Sequence, residues 1–293
     1  MIRFLALTFI AFSSYLSPVL AQGISAQSPK IFVASTGSDA NDGSRVSPKR
    51  SFQAAHDTVA GGGEIVALDT AGYGAVTITK SVGIIVPPGV NGFVTITATS
   101  GNPTGIFINA GSGAVVTLRG LIVEGPGSSI SSNGIKIVSA GTVVIEDTLV
   151  RSFHEGIYAR TMTPLSMVVK RSAVRNSTYG IDLETETSTI GLVYATISDT
   201  EVTSSTTAFY LSRNATNGVS AIVTRCAITD AELGFYIYGG NGTELILDSS
   251  TINNVTQVYN VSNGGIASSR QNNIAKGYST LGISSPLSQP FTF

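Results

Sequence analysis

The chain has 293 residues, of which 42% are hydrophobic and only 12% charged, with a formal net charge of −1. So little charge at such hydrophobicity excludes a disordered acidic or basic tail protein. The lack of a cationic cluster argues against nucleic acid as a partner. One cysteine, Cys226, permits no intramolecular disulfide, and beside only two histidines, His56 and His154, it makes a zinc site of the Cys/His type improbable.

Residues 1–21 read as a secretory signal peptide: Arg3 supplies the positive start, Phe4 to Phe12 the apolar run, and Val19-Leu20-Ala21 a small-residue cleavage site. The run is too short for a membrane span, which needs about 20 apolar residues, and no cysteine follows it to carry a lipid anchor. No later stretch reaches spanning length. The expectation is a mature chain from about Gln22, secreted to the periplasm or the extracellular space, with residues 22–293 forming a single domain. The Thr36–Ser44 loop offers oxygen ligands at Asp39, Asn41 and Asp42 and is the one place where Ca²⁺ is considered. It lacks the spacing and closing Glu of an EF-hand, and it is also explained as a turn. No other cofactor is expected.

Residues 51–60 are the one predicted helix, a short capping element. Ser51 caps it, Phe52, Ala55 and Val59 share a face, and Gly61-Gly62-Gly63 ends it. It is read as an N-terminal lid with His56 as a structural residue. From about 64 to 277 the chain repeats itself. Gly–apolar–any–apolar segments start at 105, 134, 156, 180, 208, 234 and 258, at intervals of 22 to 29 residues. A second apolar track runs through Val116, Val143, Met167, Ala195, Ala221 and Leu245. A third runs through Val123, Val150, Val174, Val202, Ile228 and Ile252. Three short period-2 strands per repeat, broken by Gly, Ser, Asn and Asp, predict an all-β fold, a right-handed parallel β-helix. Its coils stack about 4.8 Å apart, so Ile106, Ile135, Ile157, Ile181, Phe209, Phe235 and Tyr259 pile into one internal column. Residues 278–293 hold two prolines and no repeat, and are expected to cover or trail from the far end.

Several polar features are read as parts of this scaffold. Asp147, Arg171, Asp199 and Arg225 alternate in sign on successive coils and specify register. Cys226 shares a column with Leu121, Thr148, Ser172, Thr200 and Ser250 and is read as a small turn residue. His154-Glu155 is read as a turn rather than a catalytic pair. The Asn-x-Ser/Thr sites at Asn176, Asn214, Asn241, Asn254 and Asn260 are read mostly as turns.

The opening Val33-Ala-Ser-Thr-Gly-Ser-Asp-Ala-Asn-Asp-Gly-Ser44 with Pro48, then Ser51-Phe-Gln-Ala-Ala-His, Gly63-Glu-Ile-Val-Ala-Leu and Gly72-Tyr-Gly-Ala-Val-Thr-Ile-Thr-Lys-Ser81, resembles the start of exported bacterial β-helix repeat proteins of the pectin-lyase-like superfamily. That resemblance implies the fold, and it implies activity on acidic polysaccharides for those members that are lyases, hydrolases, esterases or epimerases. The Asn-Thr-Asp, Asp-Asp and Gly-His-Gly set of polygalacturonases and the Trp-Ile-Asp-His of pectate lyases are not found in this chain.

On a strand written Gly–in–out–in–out, the outward residues stack into two surface columns. One holds Phe107, Lys136, Tyr158, Asp182, Tyr210, Tyr236 and Asn260. The other holds Asn109, Val138, Arg160, Glu184, Ser212, Tyr238 and Ser262. Tyr158, Tyr210, Tyr236 and Tyr238 are the candidate substrate-binding residues, because flat rings with a polar tip suit sugars. Lys136, Arg160, Asp182 and Glu184 are the candidate catalytic residues for proton removal beside a uronate carboxyl, the last two also as holders of a cation. The expected function is binding, and processing if it is an enzyme, of a polysaccharide or cell-surface glycan. The alternatives are a non-catalytic extracellular structural or interaction protein and a uronate polysaccharide lyase.

Overall fold

A computed structural model describes residues 29–185, 191–213, 218–239, 242–270 and 272–284. The signal peptide expected at 1–21 and the last residues of the expected tail lie outside them, as do Asn214 and Asn241. The described chain winds into a parallel β-helix with three lateral sheets. In one coil, Leu165–Lys170 lies in the first sheet, Ala173–Arg175 in the second and Tyr179–Thr185 in the third. Each pairs in parallel with the matching strand one coil on: Val193–Ser198, Glu201–Thr203 and Thr207–Arg213. The right-handed winding is the hand that strand–crossover–strand connections adopt almost without exception.

Inward side chains meet their own kind. Ile106, Ile135, Ile157, Ile181, Phe209, Phe235 and Tyr259 are consecutive ladder partners in the third sheet. The Val116 track and the Val123 track pair in the same way in the first and second sheets. Nearly all of these residues are fully buried in one continuous core. The Phe209 and Phe235 rings stack 5.2 Å apart at 21°, so packing and strand pairing enforce the same register.

The corners explain the polar columns. Asp147, Arg171, Asp199, Arg225 and Ser249 sit at positive φ, about 50°, where the chain turns from the first to the second sheet. Their side chains project outward and pair across rungs: Arg171 Nε to Asp147 Oδ1 at 2.9 Å, and Arg225 Nε to Asp199 Oδ1 at 2.7 Å. The next residue points inward. The hydroxyls of Thr148, Ser172, Thr200 and Ser250 each donate to the carbonyl two residues back, and the Cys226 thiol does the same. Burial pushes the Cys226 thiol up to about 11, so it stays protonated and serves the corner. Asn176 and Asn254 stand at positive φ before the third sheet, Asn254 within the strand Thr251–Ser262 that also holds Asn260.

The recurring glycine has a steric cause. A Cβ on Gly134, Gly156 or Gly180 would lie 2.5, 2.7 or 2.6 Å from the carbonyl oxygen of the next coil. Ala208 and Val258 stand in the same column, so the crowding is local rather than uniform.

The strand pairing reaches beyond the coil limits of 64 and 277 read from the sequence. Lys30–Val33 already pairs with Gly63–Ala67, and Thr280–Ser284 pairs with the Gln257–Val261 stretch of the preceding coil. The helix, Phe52–Thr58, is therefore an insertion between the first two strands and not a segment preceding the coils. Ser51 accepts the N–H of Ala54, as an N-cap does. The helix packs on the opening strands of the first and third sheets through Phe52, Ala55 and His56. His56 Nε2 accepts the N–H of Thr79 at 3.2 Å, a structural role.

Truncating one member of the aromatic column should leave a cavity that neighbouring rungs cannot fill. Phe209→Ala is expected to cost about 3–5 kcal/mol, read as a lower midpoint in urea unfolding. A midpoint equal to wild type would show that the stacking contributes little.

Candidate functional site

The third sheet presents the candidate residues on its outer face. Lys136, Tyr158, Asp182, Tyr210, Tyr236 and Asn260 are consecutive ladder partners in six strands beginning with Asn133–Glu146. Beside them run Arg160, Glu184, Ser212, Tyr238 and Ser262. The lower end of that second column differs from expectation. A register shift after Ile108 sets Asn109 opposite Ser139, so Asn109 and Val138 do not stack.

A third outward file, which the Gly–in–out–in pattern does not register, precedes the glycine. It brings Glu155 and Tyr179 onto the same face. Glu155 is the first residue of the strand Glu155–Thr161 and not merely a turn residue. His154 remains in the turn, its ring edge-on to Tyr179 at 5.5 Å and its Nδ1 3.8 Å from Glu155 Oε1. The signal available in the sequence was the residue before each repeat glycine.

The face is less open than a sugar-stacking platform requires. Tyr158 is only 6% exposed and its hydroxyl donates to Glu184 Oε2 at 3.0 Å. The Lys136 ammonium lies 5.2 Å from the Tyr158 ring centre. Tyr158 therefore orders the ionic groups and has no free face for a ligand. Tyr210 and Tyr236 stack on each other at 5.0 Å and 15°, and Tyr236 lies nearly parallel to Tyr238 at 6.3 Å. Their hydroxyls and edges are what they present. Tyr238, 39% exposed, is the most accessible of the four. Tyr179 closes the row by an edge contact to Tyr210 at 5.4 Å and 74°.

Asp182 sits at the centre, a short side chain among long rings. It is 4% exposed, and its buried Oδ1 has no hydrogen-bond partner. Burial, reinforced by the charges of Glu184 and Glu155 and opposed by Arg160, holds its carboxyl well above the usual range. Burial also raises Glu155, with Lys136 opposing and Glu184 adding. Burial, and then Glu184, push the Tyr158 phenol up. Tyr210 rises to about 12, chiefly by burial. The cations are held by other groups: Arg160 Nε lies 3.7 Å from Glu184 Oε2, and Lys136 lies over the Tyr158 ring. The structure thus brings the four candidate catalytic residues together, but as a partly desolvated cluster with three acids and two cations.

The Asp39–Asn41–Asp42 loop does not converge on a cation. The Asp39 carboxylate accepts from Arg50 N, Ser51 N and Ser51 Oγ. Asn41 Nδ2 donates to Pro48 O, and Asp42 Oδ1 accepts from Ser44 N. Each side chain braces the loop. Among the described residues no group of three or more His, Cys, Asp or Glu is arranged to hold a metal ion, at this loop or at Asp182 and Glu184. No described helix is long and apolar enough to cross a membrane.

Scaffold and face together define a three-sheet parallel β-helix with a file of aromatic and ionic side chains on one outer face. The model of the NosD family, described as "Periplasmic copper-binding protein (NosD)", matches residues 69–282, and the chain belongs to that family. The family is periplasmic, in agreement with the exported location read from the sequence. A solved rhamnogalacturonan lyase superposes with a TM-score of 0.46 and 11% sequence identity over 79% of this chain and 75% of that one. No curated protein sequence matches.

The family's description names copper, and among the described residues the imidazole and thiol donors do not gather to hold it. Copper sites draw on imidazole, thiolate and thioether ligands. His56 has Nε2 engaged by Thr79 N–H and Nδ1 3.2 Å from Asp57, inside the helix contact. Cys226 is buried with its thiol on backbone carbonyls 3.3 and 3.6 Å away. Met167 is in the core. His154 lies alone against Tyr179, on a different element from each of these.

Asp182→Asn tests the electrostatics of the cluster. A carboxyl raised in the folded state stabilises fully below its unfolded pKa, and that stability is lost as pH rises through the folded value. The amide variant should therefore melt higher than wild type at pH 8, by about 2–4 °C per kcal/mol for a chain of this size. It should match wild type at pH 3, where the acid is protonated in both states. A lower melting temperature at pH 8 would refute the assignment.

Proposed function

We propose that this periplasmic solenoid binds a polysaccharide along the outer face of its third sheet. The observation that carries the reading is the continuous file from Lys136 to Tyr236, with Tyr238 at its flank. Ordered phenol rings and ionic groups stand on rungs that packing holds rigid. Four rung intervals span about 19 Å, longer than a single sugar, and suit a polymer whose hydroxyls meet successive polar tips. The rings are already ordered by stacking, so little side-chain entropy is lost on binding. Tyr236 and Tyr238 are the contact residues; Tyr158 and Glu184 brace the ionic groups behind them.

Binding is favoured over uronate lyase chemistry. A lyase needs a free cation at the substrate carboxylate and a base for the adjacent proton. Here Arg160 faces Glu184, Lys136 faces an aromatic ring, and burial raises the Asp182 carboxyl well above the usual range. A purely structural or interaction protein is the competing outcome. In affinity electrophoresis through gels cast with neutral, acidic and amino polysaccharides, wild type should be retarded by at least one. Tyr236→Ala/Tyr238→Ala should lose most of that retardation while keeping its melting temperature within a few degrees. Equal retardation of the double variant would place the contact elsewhere, and no retardation in any gel would favour the interaction protein.

Copper handling is the second reading, and family membership is what favours it. The positions of His56, His154, Cys226 and Met167 lead us to expect no stoichiometric copper after dialysis against Cu(II), or against Cu(I) with a chromophoric competitor. One equivalent retained at micromolar affinity would overturn the donor argument.

A further inference from the structure

We infer that the third-sheet face selects a cationic ligand, a polysaccharide carrying free amino groups, whose ammonium seats at the rim formed by Glu155 and Glu184 above Asp182. The inference rests on the glycan-binding reading and names the ligand class.

Three carboxylates converge where the scaffold provides partners for only some of them. Glu155 and Glu184 keep 21% and 18% of their side chains exposed, and Asp182 lies beneath them with an oxygen that is buried and unpartnered. The two cations approach from one side. Arg160 and Lys136 belong to the rungs before Asp182, where they engage Glu184 and the Tyr158 ring. Among the described residues, the outward positions in these two files on the following rungs are Tyr210, Ser212, Tyr236 and Tyr238, with no cation among them; Arg213 follows Ser212 in the file of Thr185. Within the two files the acids meet cations on one flank and phenol hydroxyls on the other.

An ammonium completes this arrangement on both counts. It hydrogen-bonds carboxylates with charge assistance, and the phenol oxygens of the neighbouring tyrosines can accept its remaining N–H groups. Its positive charge also favours the ionised form of Asp182, which burial opposes while no ligand is bound. A uronate would bring a fourth carboxylate to the same place and be repelled. The face therefore departs from the acidic-polymer preference that resemblance to pectin-lyase-like proteins implies.

The test uses the full mature chain and three probes of equal length: oligomers of glucosamine, of N-acetylglucosamine and of galacturonate. Titration calorimetry is run at a pH where the amine is protonated. The glucosamine oligomer should bind at least tenfold more tightly than its N-acetylated counterpart, with galacturonate weakest. Asp182→Asn and Glu155→Gln should each bring the amino to N-acetyl affinity ratio close to one. Glu244→Gln, a carboxylate of the first sheet, should leave the ratio unchanged, which separates this cluster from bulk charge attraction. Binding of the oligomers without amino preference, a ratio unaffected by Asp182→Asn, or tighter galacturonate binding would overturn the inference and leave glycan binding intact. Binding of none of the three would overturn the inference, and retardation by neutral polysaccharides in the gels would then decide the glycan-binding reading by itself.

Discussion

Strand pairing and side-chain stacking share one repeat along the axis, and every other property of the molecule follows from that coincidence. Each rung places its backbone about 4.8 Å from the next, which is also a comfortable distance between like apolar side chains or parallel rings. Ile135 above Ile106, or Phe235 above Phe209, therefore satisfies packing and hydrogen bonding at once. A slip by one residue would turn each inward column outward. That penalty permits three narrow sheets to close on a dry core with few long-range devices beyond the repeat itself.

Rigidity of this origin has a consequence for the surface. Outward residues are held in files whether or not their neighbours suit them. At the corners the files are resolved by alternating charge, as in Arg171 with Asp147 and Arg225 with Asp199. On the third sheet they are not resolved. Asp182 is fixed between Tyr158 and Tyr210 by the ladder, beside Glu184 and diagonal to Glu155, and the backbone cannot yield to separate them. Burying a carboxylate without a partner is costly, so burial favours the protonated form of the group. A scaffold that retains such a centre fits a face that works on a ligand better than one that only encloses a core.

Membership of a family described by copper sits beside a chain whose imidazole and thiol groups serve other ends. The match covers the coils, which are the part common to solenoids of this build. Function on such a scaffold resides in the outward files, and these vary without disturbing the core.

The repeat, its three tracks and their register were legible in the linear chain, because burial leaves a local period that composition cannot disguise. The column from Ile106 to Tyr259 and the ion-paired corners appear in the structure as read. Three things were decided only by tertiary structure. The burial of Tyr158 and the mutual stacking of Tyr210 with Tyr236 depend on which neighbours stand one rung away and how long they are; alternation alone says in or out, not covered or open. The entry of Glu155 and Tyr179 into the cluster depends on how the backbone runs at the repeat glycine, where the simple in–out count is interrupted. The extension of pairing to Lys30–Val33 and Thr280–Ser284 lies in segments whose partners, and not their own patterns, make them strands. Local sequence determines which way a side chain leaves the backbone; only the stacking of separate coils determines what it meets there.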